Sequence, residues 1–122
     1  MYFPISDWFA AFILTLVIEA PIVAFVLRRV ERDVVRLGIF IVFANLATHL
    51  AVWYVITQLL LVGTLGYAVV AETWAATAEA LIYWAAIPGL SARRAISAAV
   101  AANAASFLVG RAIGGPWLEV FA

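Results

Sequence analysis

Apolar residues run nearly unbroken through four stretches, at about residues 7–27, 37–62, 67–87 and 91–113. Between them fall LRRVERDVVR (27–36), the Gly63-Thr64-Leu65-Gly66 turn and Pro88-Gly89, and Gly114-Gly115-Pro116 follows the last. Gly and Pro clusters of this kind end helices. At about 1.5 Å per residue each stretch covers a hydrocarbon core of about 30 Å with some tilt. Ser6 reads as the N-cap of the first helix, with Asp7 near the positive end of its dipole. Short connections make consecutive helices antiparallel neighbours. The expected fold is therefore an all-α integral membrane protein, an up-down bundle of four transmembrane helices, with residues 1–122 as one domain. The opening MYFPISDWF has no positively charged segment and Glu19 interrupts the apolar run, so the first span reads as retained.

Polar positions inside these stretches carry most of the information. Glu19, Glu72 and Glu79 lie within them, accompanied by His49 and by no Lys or Arg at similar depth. A carboxylate at the bilayer centre costs roughly 2.5–3.5 kcal/mol on insertion scales, so such residues face a bundle interior or a wet cavity. Helical spacing groups them. Thr15 and Glu19 share a face; Asn45, Thr48, His49 and Trp53 share another; Glu72, Glu79 and Tyr83 line a third; Asn103, Ser106 and Gly110 a fourth. Glu19, His49, Asn45, Glu79 and Asn103 all fall within about two turns of the midplane, with Glu72 two turns above Glu79. Pro21, beside Glu19, removes a backbone hydrogen bond and can kink the first helix there.

Plainer readings stand beside these. Asn45, Asn103, Thr48 and Ser106 serve equally as interhelical glue, at about 0.6 kcal/mol each. His49 suits a packing role as well as a working one, and Glu72 is near enough to the outer interface to be simply solvated. Glu19 and Glu79 resist such a reading, because burying either for packing alone is expensive. Ala98, Ala102, Ser106, Gly110 and Gly114 recur every four residues, a small-residue stripe that admits another backbone. Its partner is either the third helix, through Ala71, Ala75 and Ala78, or the same helix of a second subunit.

Composition agrees. The chain is 68% hydrophobic and 11% charged, with a mean hydropathy of +1.14. Soluble domains are nearer half apolar and about a quarter charged. Seven basic residues, all Arg, balance seven acids, which argues against a nucleic-acid partner. Cysteine is absent, so thiolate metal sites and disulfides are excluded. Arg28, Arg29, Arg32 and Arg36 occupy the first connection and Arg93 and Arg94 the third, while the second has no charge. The positive-inside rule puts those loops in the cytoplasm and both termini on the extracytoplasmic side, with Arg111 the exception. A bacterial inner membrane is the expected location. Trp8, Tyr67 and Trp117 would mark the outer interface, Tyr83 and Trp84 the inner one, and Arg29 and Asp33 read as a helical ion pair.

Three functions fit. The first is proton- or cation-coupled transport, with Glu19, Glu79, His49 and Glu72 as the proton/cation site and Asn45, Asn103, Tyr83, Ser106 and Thr48 orienting it. Four short spans with a membrane-embedded glutamate in the first resemble the plan of small multidrug-resistance transporters. No local motif is shared, so no residue role follows from that likeness. A bound metal would take Glu19, Glu79 and His49, a donor set suited to a harder or borderline ion. The sequence requires no cofactor. The second function is an accessory subunit of a respiratory- or photosynthetic-type complex, whose small helical subunits the chain resembles in plan, with His49 available to ligate a cofactor. The third, intramembrane catalysis by paired carboxylates, has no HExxH or GxSxG motif behind it, so the chain reads as a non-enzyme. Besides the lipid bilayer, a homo-dimer or heteromeric membrane complex is the expected partner.

Overall fold

An aspartate and two glycines set where the helices begin and turn. In the computed structural model, which describes residues 5–113 and the side chains from residue 8 on, α1 spans Ile5–Leu27 and runs through Pro21. Residues 28–33 form a turn and an extended segment. Asp33 there caps α2: its carboxylate accepts hydrogen bonds from Val35 N at 3.0 Å and Arg36 N at 3.1 Å. α2 spans Val34–Leu59. It is α-helical over Val34–Ala51, π-helical over Val52–Ile56 and α-helical again over Thr57–Leu59. The second turn is made by Gly63 at φ +86°, and Thr64 then caps α3, Leu65–Ala86, by accepting from Tyr67 N. Gly89 at φ +79° makes the third turn, after which Ser91 caps α4, Ala92–Ile113, by accepting from Arg94 N. Both glycines occupy left-handed backbone that a Cβ disfavours.

Consecutive helices pack on one another and α4 closes on α1, giving a four-membered antiparallel bundle. Two apolar clusters fill its ends. The larger joins Val23 and Leu27 of α1, Leu37 and Ile41 of α2, Tyr83 and Ile87 at the end of α3, and Ala95 and Ala98 of α4. This is the end that carries Arg28, Arg29, Arg32, Arg36, Arg93 and Arg94. The smaller cluster, Ile56, Tyr67 and Ala71, sits at the opposite end. A polar layer lies between them. Outside, large apolar side chains face outward on every helix, among them Val17, Phe25, Ile39, Phe43, Val69, Leu81, Val100 and Leu108. An apolar exterior around a polar interior is the arrangement expected where the solvent is hydrocarbon.

The structure revises several expectations. Three helical runs, Trp8–Leu27, Val34–Leu59 and Ala92–Ile113, are long and apolar enough to cross a membrane. α3 matches them in length but falls short in hydropathy, because it carries Glu72 and Glu79 together with Gly66, Tyr67, Thr73, Thr77 and Tyr83. α2 begins three residues earlier than the apolar pattern implied, at the Asp33 cap, and ends three earlier, before the Gly63 turn. Arg29 and Asp33 do not share a helix; the ion pair at this corner is Arg36–Glu31 at 3.8 Å, with Arg36 largely exposed and so worth little. Helix from Ile5 onward puts Ser6 and Asp7 within α1 instead of at its cap. Tyr67 and Tyr83 are wholly buried inside the bundle and are not interface anchors, whereas Trp84 is exposed. Pro21 is exposed and faces away from the polar layer, so it does not shape the site directly. Gly114 and Trp117 lie outside the described residues.

The Asp33 cap offers a direct check. Replacing Asp33 by Ala should destabilise the folded chain by about 1 kcal/mol, read as a lower midpoint for unfolding in detergent. An unchanged midpoint would mean that α2 does not depend on that cap.

Candidate proton-binding site

The polar layer is built from one face of each helix. Thr15 and Glu19 come from α1, Asn45, Thr48 and His49 from α2, Glu79 from α3, and Asn103 and Ser106 from α4; all are buried. Glu19 is 0% exposed and Glu79 1%. Small residues make this possible. Ala98, Ala102, Ser106 and Gly110 of α4 are buried against α1 and α3, and Ala71 and Ala75 of α3 are buried too. The stripe is thus covered within one chain and is not available to α4 of a second copy. Ala78 is only half-buried.

Neither glutamate meets a cation among the described residues. Ser106 Oγ lies 2.6 Å from Glu19 Oε1 and 3.1 Å from the carbonyl oxygen of Asn103. Thr48 Oγ1 lies 3.0 Å from Glu79 Oε1, and 3.1 Å from the carbonyl oxygens of Ala44 and Asn45. Asn103 Nδ2 donates to Glu79 Oε2 at 2.8 Å and to the Ala99 carbonyl at 2.8 Å, which uses both its hydrogens. Asn45 Nδ2 donates to the Ile41 carbonyl at 3.1 Å, and its carboxamide stands beside Glu19.

The two hydroxyls share one design. Each has a single proton and a choice of acceptors: a glutamate oxygen and, one turn back on its own helix, one carbonyl for Ser106 and two for Thr48. With the carboxyl ionised, the hydroxyl donates to it. With the carboxyl protonated, the acid donates to the hydroxyl oxygen, which turns its own proton to the carbonyl. Every group at these two contacts has a partner in either state. An Arg or Lys partner would instead fix one state.

A cavity of about 30 Å³ lies over the pair, lined by Thr15, Glu19, Glu79, His49, Trp53 and Glu72 among others. That is room for one or two water molecules and excludes an organic solute. Glu19 Oε2, Thr15 Oγ1, His49 Nδ1 and Trp53 Nε1 are buried and have no hydrogen-bond partner among the described residues. His49 stands under the edge of Phe12, ring centroids 5.8 Å apart at 76°, and Phe12 stacks on Trp8 at 5.5 Å. Trp53 reaches the cavity from the π segment of α2. A π turn inside an α-helix inserts an extra residue and re-aims side chains, and such turns recur at functional sites.

Sequence reading placed most of this layer, with two exceptions. Tyr83 does not line the cavity; it sits in the apolar cluster beneath it, its hydroxyl without a hydrogen-bond partner among the described residues. Glu19, Glu79 and His49 do not form a metal-binding trio: no group of three or more His, Cys, Asp or Glu among the described residues is placed to hold a metal. The Trp8–Phe12 stack over His49 was legible in principle, because Trp8, Phe12, Thr15 and Glu19 follow helical spacing. The π segment has no sequence signal.

No protein-family model matches the chain, no curated protein is similar to it, and no solved structure resembles it. The chemistry of the layer is therefore the ground for any functional reading.

Glu19 and Glu79 differ in their support, and stability should show it. Ser106→Ala removes the donor to Glu19 Oε1 and should cost about 1–3 kcal/mol. Thr48→Ala leaves Asn103 on Glu79 and should cost less. Chemical unfolding in bicelles orders the two variants, and the reverse order would contradict this assignment.

Proposed function

We propose that Glu19 and Glu79 form a buried proton-exchanging pair and that the chain couples proton movement to transport across a membrane. The observation that carries this reading is the pair of rotatable hydroxyls, Ser106 and Thr48, each able to serve its glutamate in both protonation states. Two carboxylates that line one small cavity repel each other and lose hydration on burial, which favours a proton or cation sharing the layer. The cavity volume limits the passenger bound there to a proton with water or a bare small cation. His49 stands as relay between the cavity and the Phe12 stack. Glu72 extends the acidic path away from the arginine-bearing end.

On this reading the chain spans the membrane four times. α3, which falls short of the apolarity of the other three spans' best windows, crosses with its glutamates turned inward. Arginines on the 28–36 and 91–94 corners put that end in the cytoplasm and both termini on the other side, in a bacterial inner membrane.

A second reading, an accessory subunit or homo-oligomer, has its own support. The outward face of α3 mixes exposed Thr73 and Thr77 with exposed Trp74, Leu81 and Trp84. Such a face suits a protein partner better than lipid alone, and it replaces the α4 stripe as the place where one would dock.

Reconstitution separates these. In liposomes carrying a pH-sensitive dye, an imposed pH gradient should drive proton movement through the wild type. Glu19→Gln and Glu79→Gln should each lower the rate by roughly a hundredfold while still extracting as folded protein. Normal flux in both variants would remove the pair from the mechanism.

A further inference from the structure

The polar layer has very different surroundings on its two sides. Toward the arginine-bearing end it is closed by Val23, Leu27, Ile41, Tyr83 and Ile87, each 3% exposed or less. Toward the other end the cavity wall is mixed, Thr15, His49, Trp53 and Glu72 standing among Val52, Ala71 and Ala75, and the apolar cluster beyond it is smaller. Two residues of the cavity lining, Glu72 and Asn103, also line a separate groove of about 460 Å³ between α3 and α4, together with Thr73, Thr77, Ala104 and Phe107. Glu72 is half-buried, as a group standing between an interior and a surface would be.

We infer that Glu72 is the exchange portal of the buried pair, passing protons between the inner cavity and the α3–α4 groove on the side away from the arginine cluster. This rests on the proton-exchanging role of Glu19 and Glu79 and adds a route and a direction to it. Among the groups facing Glu72, two carboxyls and an imidazole can hand on a proton. Glu79 and Tyr67 share its helix, Glu19 faces it from α1, and His49 from α2. α4 contributes Asn103 and, beyond Phe107, Arg111, whose guanidinium sits over the Phe107 ring at 5.8 Å. Arg111, the arginine that breaks the charge asymmetry, thus stands above a groove-lining ring on the same side as Glu72. The step itself is a transfer between carboxyls: one O–H bond forms on Glu72 as one breaks on the buried pair, with cavity water carrying the proton between them. No oxidant, reductant or leaving group is involved.

Infrared spectroscopy of the protein in lipid films tests this, following the protonated-carboxyl stretch after a switch from H2O to D2O. Bands that disappear in Glu19→Gln and Glu79→Gln identify the pair. In Glu72→Gln their deuteration should slow by roughly tenfold or more. Ala104→Trp, which fills the groove at an exposed position touching neither glutamate, should slow it likewise and guards against misfolding of the Glu72 variant. If the bands exchange at the wild-type rate in both variants, the portal is wrong while the pair stands. If no band belongs to Glu19 or Glu79, the proton-exchanging reading falls first and the portal with it.

Discussion

Everything in this bundle turns on keeping two carboxyl groups out of water without giving them a cation. Glu19 and Glu79 are buried as completely as any leucine in the chain. A fixed Arg or Lys would settle their charge, and none pairs with them among the described residues. Their neighbours are Ser106, Thr48, Asn103 and Asn45, groups that hydrogen-bond but cannot neutralise. On the proposed reading the charge at this layer is left to a mobile species. The small residues of α4 follow from the same constraint, because only Ala, Ser and Gly let three helices come close enough to deliver those short side chains to the carboxyls. The apolar clusters above and below keep the layer at fixed depth.

Hydrogen-bond ambiguity is what separates this arrangement from ordinary packing. A buried polar contact with one solution rigidifies a core; one with two solutions of similar quality can switch between them. Ser106 and Thr48 each back-bond to their own helix, a habit that merely bends many membrane helices. Here the same habit supplies the second acceptor. The cavity beside them is sized for water and not for a drug-like molecule.

Much of the fold was legible because a membrane-like pattern leaves few alternatives: long apolar runs, short breaks and six arginines on two corners dictate helix number and pairing. The convergence of Glu19, Asn45, Thr48, Glu79, Asn103 and Ser106 was legible from spacing of three, four and seven residues. Other features were not. Asp33 reads as half of an ion pair with Arg29 because the charged 27–36 connection has no Gly or Pro to show where the helix breaks, and its capping role needs that break. Tyr83 shares the Glu79 face, but one further turn carries it out of the cavity and into the apolar floor. The π turn at Val52–Ile56 depends on how α2 fits its neighbours, and no residue there announces it. The α4 stripe could be read as facing in or out, and only packing decides that it faces in.

The most direct measurement is solid-state NMR of the protein in bilayers with carbon-13 at the glutamate carboxyls, recorded across a range of pH. A coupled exchanging pair requires the Glu19 and Glu79 signals to move with pH, and each to move differently once the other is replaced by Gln. Signals that stay fixed in both residues at every pH would show carboxyls locked by an ion or a partner, and the proton-exchanging pair would be wrong.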